Sequence, residues 1–291
     1  MLSIIVVSYN TRDLLRQCLQ SLQTYCPAAE VIVVDNASRD ASAEMVRTEF
    51  PAANLIPLET NVGFAGANNV GLQLVGGNYV LLLNSDTYVE DDTLDRCVAW
   101  MNSRPEVGAV SPRLIGFDDV PQRCAHPFPS FWNKLRQTFR LPPRPAGERV
   151  DEGEGWLIGA ALMLRREAIQ QLKGFLDTGY FMYWEDTDLC SRLLRAGWVL
   201  AIYHEGHVRH LGGASSNSPG GGQRPELHAC FLRGKYRWFG RYRPRWESAG
   251  LWAVEAVEVV RKLLRGVFYR RRAEHIQAQT IARVLWTLIR V

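Results

Sequence analysis

The chain has 291 residues, of which 47% are hydrophobic and 22% charged, a globular composition large enough to bury the core of one α/β domain with an appendage. Its net charge of +4 hides an asymmetry: from Arg224 onward there are 15 basic and 5 acidic residues, so an acidic body precedes a basic tail. That pattern suits a tail on a polyanion or an anionic membrane surface, or an Arg-rich solvated helix face, and no nucleic-acid partner is expected.

The opening "MLSIIVVSYN" lacks a basic leader and reads as a first strand, not a signal peptide. "TRDLLRQCLQSLQTY" carries Leu14, Leu15, Cys18, Leu19 and Leu22 at helical spacing. "EVIVVDN" is a second strand, "DASAEMVRTEF" a short helix ended by Pro51, and "NLIPLE" a weaker strand. "GFAGANNVGLQLV" is a helix entered through small residues, and "YVLLLNSD" a fourth strand. Near-continuous apolar strands alternating with helices predict a mostly parallel central sheet covered on both faces. Ligands then bind outside the carboxyl ends of the strands. Three polar clusters fall there: Ser8–Tyr9–Asn10, Asp35–Asn36 and Asn84–Ser85–Asp86.

Further along, residues 92–103 read as a helix and "VGAVSPRLIGF" as a strand. Residues 117–155 form a long Pro-, Arg- and Gly-rich insertion holding one short helix, "FWNKLRQTFR". "GWLIGAALMLRREAIQQL" resumes strand and helix. An aromatic run, the acids of "WEDTDL" and a helix stopped near Gly197 follow. "VLAIYHEGHVRHLGG" is a last strand and "NSPGGGQRP" a linker. The expected domains are therefore 1–216, and 217–291 as linker and helical tail. In that tail Glu255, Glu258, Lys262 and Arg265 share one face, while Ala256, Val260, Leu263 and Val267 share another.

Several chemistries are disfavoured. Six scattered cysteines with no CxxC pair suggest free thiols in a reducing cytosol. No run of about 18 apolar residues predicts a membrane span. Asp35 ends a second strand as in dinucleotide-binding folds, but "SYNTRD" after the first strand has no glycine, and no phosphate-binding GxxxxGK[ST] loop occurs. Asp86 alone is open between a turn cap and an oxygen ligand for magnesium or manganese. The acids before "LCSRLLRAG" suit a helix N-terminus, with Asp188 placed to pair with Arg192.

"VVSYN", "VVDNAS", "NVGFAGANNVG", "LLLNSD", "GALMLRR" in the near form "GAALMLRR", "YWEDTDLCSRLLRAGW" and "HLGGASS" occur in this order. Together they resemble the family-two inverting glycosyltransferases of the GT-A fold, most closely the bacterial rhamnosyltransferase-like branch. The resemblance covers about the first three-quarters of the chain.

It implies the following roles. Tyr9, with Val7 before it, stacks on the nucleotide base. Asp35 accepts hydrogen bonds from a pyrimidine. Asn61, Gly63 and Asn68 lie where backbone approaches the nucleotide sugar. Ser85 and Asp86 stand in the motif that holds Mn2+ or Mg2+ on the diphosphate, with Asn84 replacing its first acid. His210 becomes the second metal ligand, and His204 and His207 are structural. Asp186 is the general base, assisted by Glu185. Trp156, Gly159 and Trp184 contact the acceptor. The implied reaction moves a sugar, with L-rhamnose the first expectation, from a dTDP- or UDP-sugar to a glycan or lipid-linked glycan in cell-surface polysaccharide synthesis. The expected location is cytoplasmic and peripheral on the inner membrane face, with a homodimer also compatible. Two alternatives stay open: a catalytically impaired nucleotide-sugar-binding protein, suggested by Asn84, and a nucleotidyltransferase.

Overall fold

The computed structural model describes residues 1–139, 141, 155–212, 225–269 and 281, with 262–269 described by backbone alone. The expected boundary at 216/217, the glycine-rich linker and the "GASS" of "HLGGASS" lie outside them. The described residues form two compact units. The first comprises 1–127, 155–181 and 185–212, and the second 128–139, 141, 182–184, 225–269 and 281. The loop helix and three residues of the aromatic run thus group with the tail, where the sequence reading kept them in the first domain.

The first unit opens with β1 (Leu2–Ser8), α1 (Arg12–Tyr25), β2 (Glu30–Asp35), α2 (Ser42–Glu49), β3 (Asn54–Pro57), α3 (Gly63–Leu72) and β4 (Tyr79–Asn84). Then come β5 (Thr87–Tyr88), α4 (Thr93–Asn102), β6 (Val107–Ile115), β7 (Pro121–Gln122) and β8 (Ala125–Pro127). The second unit's α5 (Phe131–Thr138) interrupts here. The first unit resumes with β9 (Gly155–Leu157), β10 (Ala161–Arg165), α6 (Arg166–Gln170), α7 (Glu185–Arg195) and β11 (Val199–His210).

The main sheet runs β3-β2-β1-β4-β10-β6-β11-β5, with β7 on β6, and β8 and β9 form a separate ladder. The first four strands are parallel, as their apolar runs predict. β10 is antiparallel to both neighbours, and β5 and β7 also pair antiparallel, so the sheet is mixed. Ile4, Val6, Leu81 and Leu83 pack with the buried residues of α1, α2 and α4. Ile5 and Val34 meet α3 on the other face, so closely that a Cβ on Gly71 would stand 2.7 Å from Ile5 Cγ2. Leu81, Leu82 and Leu83 are fully buried, each contributing about 1.5–3 kcal/mol of transfer free energy.

In the second unit, α8 (Pro225–Tyr242) and α9 (Arg245–Tyr269) join α5. Phe131 lies edge-on to Trp132 and Trp246. Glu255, on the charged face, is buried: it accepts from the Tyr236 hydroxyl at 2.9 Å and from Lys235. Glu258 takes Lys134 of α5 at 2.8 Å and the Thr138 hydroxyl. Glu255 and Glu258 therefore tie helices of this unit together. Among the described residues, no helix is long and apolar enough to cross a membrane.

Candidate active site

Strand register brings the polar clusters level. Ser8 pairs with Asp35 across β1–β2, and Val7 with Asn84 across β1–β4. A hydroxyl chain ties these ends together, Ser8 Oγ to Thr11 Oγ1 at 3.0 Å and Thr11 Oγ1 to Ser85 Oγ at 2.8 Å. Asp35 is buried; its Oδ2 accepts from Ser38 N at 3.2 Å, while Oδ1 has no partner among the described residues. A buried carboxylate oxygen left open at a ligand edge is suited to accept an N–H from outside. Val7 and Tyr9 at the same edge are partly accessible.

Asp86 follows β4 directly and is 8% exposed. The next two residues form β5, which pairs antiparallel with the end of β11, Thr87 opposite His210. Asp86 O accepts from Leu211 N at 3.0 Å, and the side chains converge with His210 Nε2 3.5 Å from Asp86 Oδ1. Two atoms that each bind one cation at about 2.1 Å can be no more than about 4.2 Å apart, so this pair can share an ion. Burial pushes the His210 imidazole below its usual pKa, against the pull of the Asp86 charge, which favours its neutral, ligating form. Among the described residues no group of three or more His, Cys, Asp and Glu could hold a metal. His207 Nε2 lies 3.3 Å from Glu90, and His204 is exposed.

Glu185 and Asp186 occupy the first turn of α7. Asp186 stays partly accessible. Its Oδ2 accepts from Gly159 N at 3.1 Å and its Oδ1 from Thr187 N at 2.7 Å. Burial nevertheless pushes its carboxyl up to about 6, those donors holding it from going higher. Glu185 is buried, its Oε2 has no partner among the described residues, and burial plus the Asp186 charge raises it well above the carboxylate range. The pair is thus differentiated: Asp186 is the more readily ionised carboxylate, and Glu185 is pushed further toward its protonated form. Asp188 is fully buried and accepts from Arg192 Nε at 2.7 Å, the predicted pair.

The same edge reaches Asp186 through β10. Asn84 N donates to Ala160 O at 2.9 Å, and the neighbouring Gly159 holds the Asp186 carboxylate. Gly159 therefore touches Asp186 directly. Trp156 is half-buried and stacks on His126 at 5.3 Å.

Trp184 needs correction. It is only 7% exposed and packs on Phe231 and Trp238, with Gly234 beneath it, so its ring offers no face to an acceptor. It and Tyr183 both have positive φ, +75° and +70°, directly before Glu185. For aromatic residues this is strained, about 1–3 kcal/mol each.

Asn61 spends its carbonyl within the protein, accepting from Asn36 Nδ2 at 3.0 Å and Gly63 N at 2.9 Å. Gly63 has φ +78°, and a Cβ there would strike the Phe181 carbonyl, so its close approach is to Phe181. Asn68 is buried, with Nδ2 on Phe64 O and Oδ1 unpartnered among the described residues. Gln122 was not foreseen: its amide grips His210 at two points, from an insertion with no periodic signal.

Residues 3–172 match Glycosyl transferase family 2. The chain belongs to this family. The N-acetylglucosaminyl-diphospho-decaprenol L-rhamnosyltransferase of Mycobacterium tuberculosis is 28% identical, covering 91% of this chain and 94% of its own. Rhamnosyltransferase WbbL of Escherichia coli is 27% identical over 72% of this chain and 84% of its own. In structure, the Pyrobaculum calidifontis mannosyltransferase PcManGT, solved with GDP-Man and Mn2+, superposes with a TM-score of 0.58. It is 17% identical, over 99% of this chain and 86% of that one. The mixed sheet is the GT-A fold, and the family-2 enzyme described here is a glycosyltransferase.

Proposed function

We propose that this glycosyltransferase moves a sugar, L-rhamnose first among candidates, from a pyrimidine nucleotide sugar to a hydroxyl of a lipid-linked glycan, with inversion. The observation that carries the reading is Asp186: a partly accessible carboxylate, oriented by two backbone N–H groups, with its pKa lifted toward neutrality. Asp186 takes the proton of the acceptor hydroxyl while that oxygen bonds to the anomeric carbon. The bond from that carbon to the diphosphate oxygen breaks, and its electron pair leaves with the nucleoside diphosphate. Protonated Glu185 keeps a second negative charge away from the base. The open Oδ1 of Asp35 receives an N–H of the pyrimidine, and Tyr9 supplies a stacking face. A divalent ion, Mn2+ or Mg2+, held by Asp86 and His210, would supply compensation for the charge on the leaving diphosphate. The convergence of the Asp86 carboxylate on the His210 imidazole supports that assignment, as does the Mn2+ in the PcManGT structure.

The choice of rhamnose and of a lipid-linked acceptor rests on the named activities of the two sequence relatives. The intact base and metal pair favour this reading over a catalytically impaired binding protein. Incubation with dTDP-rhamnose, UDP-sugars and GDP-mannose, with a prenyl-diphosphate-linked N-acetylglucosamine acceptor, tests it. Product from dTDP-rhamnose with release of dTDP is expected; release of pyrophosphate, or turnover only of GDP-mannose, would overturn it.

The second unit is proposed to rest on an anionic membrane. Its exposed Trp132 and Trp246, each 54% accessible, flank Phe131 in a basic region. The Trp132→Ala/Trp246→Ala variant should co-sediment less with phosphatidylglycerol vesicles; unchanged binding sinks this placement.

A further inference from the structure

Gln122 makes two contacts with one residue. Its Nε2 lies 2.8 Å from the His210 backbone oxygen, and its Oε1 lies 2.9 Å from His210 Nδ1. A backbone carbonyl only accepts, so the Gln122 atom facing it is the amide N–H2. The other end is then the amide oxygen, which also only accepts. His210 Nδ1 must therefore carry the proton. A neutral imidazole has one N–H, so Nε2 is left with its lone pair, aimed at Asp86 Oδ1 3.5 Å away. In the neutral ring two acceptors thus face each other with no proton between them, an arrangement that suits a cation.

We propose that Gln122 is a positioning residue of the Asp86–His210 site: by gripping both the ring and the backbone of His210, it fixes the tautomer that turns Nε2 toward Asp86. The inference rests on the metal reading above. Local structure supports it. Gln122 belongs to β7, held antiparallel on β6 opposite Leu114, while His210 ends β11, which also pairs with β6. Both partners are thus anchored to one strand. Hydrogen bonding of the distal ring nitrogen orients a ligating histidine and raises its basicity, and loss of such a partner weakens metal affinity roughly 10- to 100-fold.

Two measurements on the full chain separate this proposal from the metal reading. Long-range proton–nitrogen NMR of the metal-free protein, with His210 assigned by its loss in His210→Asn, should show Nδ1 protonated and Nε2 bare. Gln122→Met, which keeps the length but can neither accept from the ring nor donate to the backbone, should lose that preference. Gln122→Glu, which keeps an acceptor toward Nδ1, should retain it. Mn2+ titration followed by electron paramagnetic resonance, with UDP present, should give a Kd roughly 10- to 100-fold weaker for Gln122→Met. Gln122→Glu keeps the acceptor toward the ring but loses the donor to the His210 carbonyl, so its Kd should fall between wild type and Gln122→Met, and thermal unfolding establishes that all three proteins are folded. A proton on Nε2 in wild type, or wild-type tautomer and Mn2+ affinity in Gln122→Met, overturns the proposal. A wild-type protein with the expected tautomer and no Mn2+ binding overturns the metal reading, and with it the role of Gln122 in supporting a ligand.

Discussion

Replacing Asp186 with Asn tests the central assignment, because it keeps the shape of the side chain and removes its basicity. A positioned general base contributes roughly 10²- to 10⁴-fold, so kcat should fall by that factor, about 3–5 kcal/mol of barrier. Stability should change little, since two opposing terms are similar in size. Holding a carboxylate charged where its pKa is lifted from 3.8 to about 6 costs the fold about 3 kcal/mol at neutral pH, and Asn escapes that cost. Against this, Asn turns an N–H2 toward one of the two backbone donors, Gly159 N or Thr187 N, losing a hydrogen bond worth about 1–3 kcal/mol when left unsatisfied. The pH dependence follows from the sign of the shift. The base acts only when ionised, so wild-type kcat should be full above pH 7 and fall tenfold per unit below about 6. The stability contribution runs the other way: the folded state binds the proton more tightly, so this group destabilises increasingly as pH rises from about 4 to about 6. Transfer of radiolabelled sugar across pH 5–8, with melting curves alongside, reads both. Activity within tenfold of wild type, or an unshifted acid limb in Asp186→Asn, would refute the assignment of Asp186 as base.

Two further outcomes are expected. Asp35→Ala removes an acceptor with an open, buried oxygen, so UDP should bind roughly 10- to 100-fold more weakly by calorimetry with kcat at saturation nearly unchanged; an unchanged Kd argues against base recognition there. Asp188→Ala removes the buried carboxylate that balances the Arg192 charge, leaving it with the Gly174 and Phe175 carbonyls, and should cost about 3–5 kcal/mol in urea unfolding, with a loss below about 1 kcal/mol ruling out a structural ion pair.

The parallel half of the sheet was legible because its strands are contiguous apolar runs, and the residue after each run, Asp35 or Asp86, is fixed at the carboxyl edge by chain direction alone. The Asp188–Arg192 pair was legible because helical spacing is local. The antiparallel β10 and the two-residue β5 were not, since pairing partners far apart in the chain leave no mark on either segment. Gln122 carries no sequence signal for the same reason: its importance comes from what β6 places beside it. Trp184 was misread, and the burial of Glu255 not foreseen, because an aromatic or a charge looks the same in sequence whether it faces water or a partner. Trp184 faces Phe231 and Trp238, and Glu255 faces Lys235 and Tyr236.

Asn84 gives the proposed cation site its character. Asp86 and a neutral His210 bring one negative charge, where two carboxylates would bring two. A dication held by the present pair keeps one net positive charge toward the diphosphate, and so remains a stronger partner for the charge that grows as the sugar leaves. The same arithmetic would make the ion's hold on the free protein weak, since the proposed pair brings two ligands and one charge. The diphosphate oxygens would complete both coordination and charge, so nucleotide and metal should each strengthen the binding of the other by an equal factor. On this view, the replacement of an acid by Asn84 shifts metal capture from the protein alone to the protein–nucleotide complex. That makes the orientation of His210, and therefore Gln122, weigh more than it would in a site with two carboxylates.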